Sequence, residues 1–525
     1  MTMADVPYVI VQAGGRGSRL KQYTDNKPKC LLSVDGEPLL YRLFRQMPGA
    51  HFIVVVDAHA DVLADYLVVV PPAAQVTVVR ATGTGSAAGL RAAIEVIDEP
   101  DADFLIVWCD LFFDDGLFLD DGLFLDDGPC FDDGQSAADR AVVPVVGLSD
   151  AFPCRWSVDD DGRLVETGSD SRGVAGIFYF PDRGFLRDLP SSGEFVRFLR
   201  DSRMPMTAAV VPGVREFGTL AAVTEYTEQA SHPRFFNQVT IDGQTVVKTA
   251  RLREFEHLIE SEATWYEVAG GLRFPHAPRM RSRQPLTIDR VDGRHPFDLK
   301  LSPARRRVVL DNIVGCLSLL HGLRSAPRSP QAVRAMYHDK TIARLQRVRR
   351  LVPHADQPTV TVNGLLCRNP LHPRYEGWFR ETVATLGTGP FSLIHGDPTF
   401  SNMLVGEDDA VWLIDPRGTF GDVVCDGDPR YDWAKLLYSM EGNYDQFNRR
   451  RFSLGVDGST VTLDIASNGW EDQVGAFRER MTDIADLDVI HALIWLSLSG
   501  YVLDDVDSIL GSFYNGVFYL ERAAR

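Results

Sequence analysis

A glycine-rich loop near the start of the sequence has residue types suited to binding phosphate. The apolar run PYVIVQ leads into AGGRGSRL, in which Gly14, Gly15 and Gly17 let the backbone approach a ligand closely and adopt positive φ. Several backbone N–H groups then point into one concavity, which favours an anion. Arg16 and Arg19 add positive charge. The spacing differs from the G-x-G-x-x-G of a dinucleotide-binding loop, so we do not expect that function.

A second group of reactive residue types lies in the C-terminal half, in the segments FSLIHGDPTFSNMLV and AVWLIDPRGTFGD. Asp397 and Asn402 fit the spacing H-x-D-x-x-x-x-N, and Asp415 follows 13 residues after Asn402, at the end of an apolar run. This is the order of a kinase catalytic loop and its later metal-binding aspartate. Carboxylate and amide oxygens are also the ligands that Mg²⁺ takes from proteins.

A third stretch, CDLFFDDGLFLDDGLFLDDGPCFDDG at residues 109–134, contains nine aspartates. Only Asp110 directly follows a predicted buried strand, DFLIVWCD, where a strand end would present it. The later D-D-G units lack the ligand spacing and the bidentate Glu of a calcium loop. We interpret them as a local duplication that forms a solvated acidic flap, and we expect deletion of residues 116–127 to be tolerated.

The elements that must position these residues differ between the two halves of the chain. Short apolar runs alternate with helical segments over the first ~230 residues, which indicates a mainly parallel sheet covered on both faces. After a boundary at residues 228–236, two β runs joined at Asp242-Gly243 predict a hairpin, and helical segments then dominate. The predicted fold class is α/β, with domains at residues 1–230 and 231–525. The second domain divides into a β-rich lobe at about 231–290 and a helical lobe at about 291–525.

The first domain resembles the sugar-phosphate and choline-phosphate nucleotidyltransferases over roughly residues 6–230. The motifs that carry the resemblance are VQAGGRGSRL…KPKCLLSVDGEPLL, ATGTGSAAGLRAAI, DFLIVWCD, VAGIFYF and REFGTLAAVTEY. The resemblance implies a Rossmann-like fold in which Arg19 and Lys29 neutralise phosphate charge, while Asp110 and Glu216 hold Mg²⁺. This chain has Glu216 where the family usually has Asp, and Cys109 where it usually has Gly. The implied nucleotide-binding residues are Gly14, Gly15, Gly17, Ser18, Gly83 and Gly85.

The second domain resembles the aminoglycoside phosphotransferase and choline kinase superfamily, through HGDPTFSN, the triplet DPR and GDPRYDWAKLL. The resemblance implies an α+β kinase-like fold in which Asp397 accepts or orients the proton of the substrate hydroxyl. Asn402 and Asp415 would then hold Mg²⁺.

The same resemblance assigns the residues that bind ATP. Lys248 would grip ATP through an ion pair with Glu262, for which Glu260 is the competing partner. A glycine-rich phosphate loop is not evident, and Ser231 and Asn237 are the candidate substitutes in ASHPRFFN.

Composition narrows the range of partners. The formal net charge of −18 argues against a general nucleic-acid binder, which needs a basic face. Seven dispersed cysteines predict free thiols in a reducing compartment, and no apolar run is long enough to span a membrane. The N-terminal apolar run is expected to be a strand and not a signal peptide. We therefore expect a cytoplasmic protein, and the sequence makes no prediction of its oligomeric state.

Lysine is scarce in this chain, so each lysine carries information. Arginine supplies 47 of the 54 basic residues, and the seven lysines are Lys21, Lys27, Lys29, Lys248, Lys300, Lys340 and Lys435.

Together the two resemblances imply a bifunctional enzyme. The C-terminal domain would phosphorylate a small polar alcohol with ATP, and the N-terminal domain would join the resulting phosphate to a nucleoside monophosphate, with CTP favoured as the donor and Mg²⁺ as the cofactor. The product would be a nucleotide-activated precursor for surface polysaccharide or specialised metabolism. One alternative is a sugar or amino-sugar 1-kinase fused to a transferase that uses UTP, dTTP or GTP. Another is an antibiotic-modifying phosphotransferase fused to an independent nucleotidyltransferase.

Overall fold

A computed structural model describes residues 6–15, 17–81, 83–113, 143–229, 237–481 and 484–525. The chain divides into two compact units. Unit 1 comprises residues 1–231 with 504–506, and unit 2 comprises residues 232–503 with 507–525. The acidic repeat at residues 114–134 lies outside the described residues, and so does Arg16.

Unit 1 is built from short strands and helices in alternation. Its described strands are β1 (Tyr8–Ala13), β2 (Ser33–Val34), β3 (Glu37–Pro38), β4 (His51–Val56), β5 (Gln75–Arg80), β6 (Phe104–Trp108), β7 (Leu111–Phe113), β8 (Val145–Ser149), β9 (Ser157–Val158), β10 (Leu164–Val165), β11 (Gly173–Phe180), β12 (Thr207–Val210) and β13 (Val214–Glu216). Its described α-helices are α1 (Leu39–Gln46), α2 (Ala60–Val69), α3 (Ser86–Ile94), α4 (Phe195–Ser202) and α5 (Leu220–Gln229). Short 3₁₀ turns cover Ser18–Thr24, Lys29–Leu31 and Arg183–Leu186.

The main sheet of unit 1 is parallel in one half and mostly antiparallel in the other. Strands β5, β4, β1 and β6 are neighbours in that order and run parallel, whereas β11 pairs antiparallel with β6. The predicted mainly parallel sheet is therefore confirmed for the half that carries the glycine loop. Residues of β1, β4 and β6 are nearly all buried, because helices cover the faces of these central strands.

The strand order brings the predicted site residues together. Since β1 and β6 are adjacent and parallel, the glycine loop after Ala13 and Asp110 after Trp108 leave the sheet at the same edge. The short strand β13 pairs antiparallel with β7, with Glu216 opposite Leu111. That register places Glu216 beside Asp110.

Unit 2 contains the remaining elements. Its described strands are β14 (Asn237–Asp242), β15 (Thr245–Ala250), β16 (Met280–Ser282), β17 (Leu286–Asp289), β18 (Ser325–Ala326), β19 (Thr359–Val362), β20 (Leu365–Arg368), β21 (Phe391–Leu393), β22 (Met403–Val405), β23 (Val411–Leu413), β24 (Thr419–Phe420), β25 (Val423–Val424), β26 (Asp426–Gly427), β27 (Phe452–Asp457) and β28 (Thr460–Ile465). Its α-helices are α6 (Glu256–Gly271), α7 (Pro303–Gly322), α8 (Pro330–Arg334), α9 (Lys340–Val348), α10 (Pro373–Ala384), α11 (Pro429–Met440), α12 (Tyr444–Asn448), α13 (Val474–Arg478), α14 (Ile484–Ser499) and α15 (Val506–Ala523).

The β-rich lobe of unit 2 is a four-stranded sheet in the order β14, β15, β17, β16. The predicted hairpin is present, because β14 and β15 pair antiparallel and turn at Asp242 and Gly243. Helix α6 packs on this sheet and buries Ala263, Trp265 and Tyr266.

The rest of unit 2 is less helical than the sequence suggested. A second four-stranded sheet, in the order β20, β19, β28, β27, is formed by two hairpins that join through a parallel pairing of β19 with β28. One hairpin turns at Asn363-Gly364, where both residues adopt positive φ. The other turns at Asp457-Gly458, where only the glycine does. Helix α14 is buried over nearly its whole length beside α9 and α11.

Two further expectations can be compared with the described residues. The six cysteines among them carry free thiols. No helix within the described ranges combines the length and the apolar character needed to cross a membrane.

Candidate active sites

The glycine loop of unit 1 is partly as expected. Gly17 has φ of +63°, and a Cβ atom there would lie 2.8 Å from Thr24 Cγ2, so this position requires glycine. Positive φ was also expected at Gly14 and Gly15, and this expectation is wrong, since neither adopts it. A Cβ atom on Gly15 would meet no atom within 4 Å, which leaves space for a ligand. Ser18 begins the 3₁₀ turn that follows.

Gly83 and Gly85 lie in the loop between β5 and α3. Gly85 has φ of +87°, and a Cβ atom there would lie 2.2 Å from the carbonyl oxygen of Gly193. That oxygen accepts from the backbone N–H of Ala87, and the N–H of Gly193 donates to Thr84 O. The two glycines therefore let the loop pack tightly against the segment at residues 191–193.

Three charged side chains meet at the carboxyl edge of the sheet. Lys29 Nζ donates to Asp110 Oδ2, and both side chains are buried. The backbone N–H of Phe217 donates to Asp110 O, which fixes the end of β13 beside this carboxylate. A Cβ atom on Gly218 would lie 2.0 Å from Glu216 Oε1 and 3.0 Å from Asp110 Oδ2, so only glycine leaves room for the pair.

Glu216 has an unusual electrostatic environment. Burial and then the neighbouring Asp110 carboxylate raise the pKa of Glu216, against the opposing effects of Lys29 and Arg19. Arg19 NH2 lies 3.8 Å from Glu216 Oε1, and its side chain is mostly exposed. Two carboxylates this close are costly to keep ionised unless a cation is shared between them.

These two carboxylates fit Mg²⁺ in the form that nucleotide enzymes use. The described residues contain no group of three or more His, Cys, Asp or Glu side chains that could hold a metal alone. Mg²⁺ is usually bound through one or two carboxylates together with substrate phosphates and water, so Asp110 and Glu216 are a sufficient protein contribution.

The catalytic-loop candidate in unit 2 is held by buried hydrogen bonds. Asp432 on α11 accepts from the backbone N–H groups of His395 and Gly396, both at 2.8 Å, and lies 3.0 Å from His321 Nε2. Asp432 therefore holds this part of the loop through its buried carboxylate. Burial lowers the pKa of His395. Its Nδ1 accepts from the N–H of Asp397, which leaves Nε2 to donate to Ile414 O.

Asp397 and Asn402 are in direct contact. Asn402 Nδ2 donates to Asp397 O at 2.7 Å and to Asp397 Oδ2 at 3.0 Å, so the amide oxygen faces away from Asp397. The backbone N–H of Ile414 donates to Asn402 O, which ties the strand end carrying Asp415 to the loop. Asp415 has φ of +56°. Two oxygen ligands on adjoining loops fit Mg²⁺ that is also bound by nucleotide phosphates.

Lys248 connects the two lobes of this site. On β15 it donates to Glu262 of α6 and to Asp415. Burial alone lowers the pKa of Lys248, but Asp415 and Glu262 outweigh that effect and hold it above its ordinary value. Glu260, the competing partner, is exposed and pairs with Arg283. Of the substitutes for a glycine-rich loop, Asn237 begins β14 and Ser231 lies outside the described residues.

Protein-family models match two parts of this chain. The model of the MobA-like NTP transferase domain matches residues 9–119. The model of the phosphotransferase enzyme family matches residues 222–489, just over half of the chain. The chain belongs to the phosphotransferase enzyme family. This phosphotransferase is thus an enzyme that also carries an NTP transferase domain.

Individual relatives cover less of the chain. A protein of Aquifex aeolicus (strain VF5) named "Bifunctional IPC transferase and DIPP synthase" is 42% identical over 55 residues. Those residues are 10% of this chain and only 13% of the relative's own length. The inositol-1-phosphate CTP transferase from T. maritima is 18% identical, covers 44% of this chain and 100% of its own, and has a TM-score of 0.32. HddC from Yersinia pseudotuberculosis is 21% identical and has a TM-score of 0.34. That match covers 42% of this chain and 99% of HddC.

One residue of the phosphotransferase site was missed by sequence reasoning. Lys435 on α11 lies 2.9 Å, Nζ to Oδ1, from Asp397. Burial lowers the pKa of Lys435, but Asp397 and Tyr431 raise it more, so the ammonium stays charged. The scarcity of lysine was the available signal, because Lys29, Lys248 and Lys435 all contact site carboxylates.

Proposed function

We propose that this phosphotransferase makes a nucleotide-activated small molecule in two steps. Unit 2 converts R–OH and ATP into R–OPO₃²⁻, ADP and a proton. Unit 1 then joins that phosphate to the α-phosphorus of CTP and releases pyrophosphate. The observation that carries the proposal is the presence of both sites in one chain, because a kinase forms the phosphomonoester that a nucleotidyltransferase consumes.

In the kinase step, Asp397 accepts the proton of the acceptor hydroxyl as its oxygen attacks the γ-phosphorus of ATP. Lys248, held by Glu262, positions the ATP phosphates. Asn402 and Asp415 are the residues that would hold Mg²⁺, which when bound neutralises charge on the transferring phosphoryl group.

In the transferase step, the phosphate oxygen of the first product attacks the nucleotide directly, with no covalent enzyme intermediate. Arg19, Lys29 and the N–H groups of the glycine loop bind the triphosphate and stabilise charge on the pyrophosphate leaving group. Asp110 and Glu216 would hold Mg²⁺ here. The loop that contains Gly83 and Gly85 approaches the nucleotide base.

The choice of CTP and of a surface-polymer or specialised-metabolite precursor is the finer part of the proposal. It is supported by the resemblance of the first domain to choline-phosphate nucleotidyltransferases and by the DPRG form of the second. The short match to a relative named as both a transferase and a synthase is consistent with two activities in one chain.

Pyrophosphate release under defined substrate supply tests the proposal. Purified protein would be given each NTP with a panel of alcohols, with and without ATP, and also with the corresponding phosphates. We expect release from CTP with an alcohol only when ATP is present, and release with the phosphate whether or not ATP is present. Asp397→Asn should abolish the first reaction and spare the second. If Asp397→Asn still supports release from the unphosphorylated alcohol, the two-step order is wrong.

A further inference from the structure

Four cationic side chains lie together beside Asp397 in unit 2. Lys435 contacts it. Burial, followed by the neighbouring charges of Arg344, Lys435 and Arg417, lowers the pKa of Lys340, while Asp397 opposes this. Helix α9 supplies Lys340 and Arg344, α11 supplies Lys435, and Arg417 follows Asp415. All four side chains are half-buried. Such a concentration of like charge in one enclosed place is unfavourable unless an anion completes it.

Two tyrosine rings each lie close to two of these cations. The Tyr431 ring centre is 5.7 Å from Lys340 Nζ and 5.9 Å from Lys435 Nζ. The Tyr501 ring centre is 5.3 Å from Arg344 Cζ and 5.9 Å from Arg417 Cζ. The face of an aromatic ring attracts a cation and so offsets part of the free energy that the cation loses on desolvation. The ring does not neutralise the positive charge.

Three of the four cations have no carboxylate partner within the described residues. Lys340 donates to Met336 Sδ, and Arg344 donates to the backbone oxygen and hydroxyl of Ser497 at 3.1 and 3.0 Å. The side chain of Arg417 hydrogen-bonds to Tyr501. Most ion pairs of unit 2 lie elsewhere, and Lys435–Asp397 is the pair formed in this cluster.

The acidic side chains near this cluster already have hydrogen-bond or ion-pair partners. Asp432 binds the backbone of His395 and Gly396, and Asp445 accepts from the N–H of Ser401 at 2.8 Å. Asp428 binds Arg430 and the hydroxyl of Tyr337. The charge next to the proton-accepting carboxylate is therefore positive.

We infer that the alcohol phosphorylated by unit 2 is itself an anion, such as a hydroxy acid or an alcohol that already bears a phosphate ester. This inference rests on the proposed kinase function and specifies its acceptor. The anionic group binds Lys340, Arg344 and Arg417, and the hydroxyl lies at Asp397 beside Lys435. A quaternary amine or an aminoglycoside would instead place a cation against these four, which disfavours the choline and antibiotic readings of the acceptor.

Binding of simple probes tests the site directly. The full chain would be saturated with Mg²⁺ and a non-hydrolysable ATP analogue, and titrated calorimetrically with glycerol 3-phosphate, glycerol and choline. We expect glycerol 3-phosphate to bind at least about tenfold more tightly than the other two, since each charge-assisted hydrogen bond is worth about 1.5–3 kcal/mol, or roughly tenfold to a hundredfold. Lys340→Gln and Arg344→Gln should each lose that preference, whereas Arg347→Gln, an exposed arginine on the same helix, should keep it.

The outcomes separate this inference from the proposed function. Binding of glycerol 3-phosphate that is no tighter than that of glycerol or choline, or that is unchanged in both glutamine variants, overturns the anionic acceptor. ADP formation with a neutral alcohol in the same preparation would then leave the kinase step standing. Arg344→Lys keeps the positive charge and should restore part of the preference for glycerol 3-phosphate. That result would show that Arg344→Gln loses the preference through its missing charge and not through misfolding.

Discussion

Lys435 Nζ lies 2.9 Å from Oδ1 of Asp397, so the proposed proton acceptor is already paired with a half-buried cation. The ammonium favours the ionised carboxylate, the form needed to take a proton. It also fixes the carboxylate from the side opposite Asn402, which donates to Oδ2. Polar contacts therefore connect the three side chains.

Lys435→Gln should therefore lower kcat of the kinase step by about tenfold to a hundredfold, since one charge-assisted contact is removed. KM for ATP should change little. Lys300→Gln is the matched control, because Lys300 is an exposed lysine in the same unit. Initial rates of ADP formation measure both effects, and equal rates for the two variants would contradict a positioning role for Lys435.

Glu262→Gln should weaken the use of ATP and spare the transferase. The change removes one of the two carboxylates that hold Lys248, so KM for ATP in the kinase assay should rise several-fold or more. Glu260→Gln, two residues away on the exposed face of α6, should have no such effect. If both variants behave alike, the Lys248–Glu262 pair has no part in binding ATP.

Gly218→Ala should damage the transferase alone. The new Cβ would fall 2.0 Å from Glu216 Oε1, so the carboxylate pair must separate. We expect the Mg²⁺ concentration needed for half-maximal pyrophosphate release to rise at least about tenfold. Gly49→Ala is the control, because a Cβ there meets no atom within 4 Å. An unchanged Mg²⁺ requirement in Gly218→Ala would mean that Glu216 and Asp110 do not hold the metal together.

Anion binding near Asp397 should weaken as the pH rises. Burial, followed by Arg344, Lys435 and Arg417, lowers the pKa of Lys340 well below its ordinary value, while Asp397 opposes this. Lys340 is charged below the lowered pKa and loses its charge above it, so affinity for glycerol 3-phosphate should fall as pH rises through that range. An arginine stays charged throughout, so Lys340→Arg should flatten the profile. Calorimetry at several pH values, in buffers of different ionisation enthalpy, should also detect proton uptake on binding. A flat wild-type profile would contradict this assignment.

The parts of the structure that sequence predicted are those with strong local signals. The apolar runs that became β1, β4 and β6 are continuous and short, as buried parallel strands require. Motif spacing within single segments also singled out Asp110, Asp397 and Asp415, whose catalytic and metal-binding roles stay predictions. The domain boundary at residues 228–236 rests on the change in pattern before the Asp242-Gly243 hairpin and stays a prediction.

The missed parts depend on tertiary contacts or on weaker local signals. The hairpins at Asn363-Gly364 and Asp457-Gly458 carried the right turn residues, but their strands are only four to six residues long within a helical context. Lys340 and Lys435 are 95 positions apart in sequence and meet only because α9 and α11 both pack on α14. No spacing rule links such residues before the fold is known.

Mixing two inactive variants tests the two-step account most directly. Asp110→Asn should turn the alcohol and ATP into the phosphate without releasing pyrophosphate, and Asp397→Asn should use only added phosphate. Neither alone should make the nucleotide-linked product from alcohol, ATP and CTP, and the mixture should make it. The account is contradicted if one variant alone makes the product, or if the mixture fails while each variant still performs its own half-reaction.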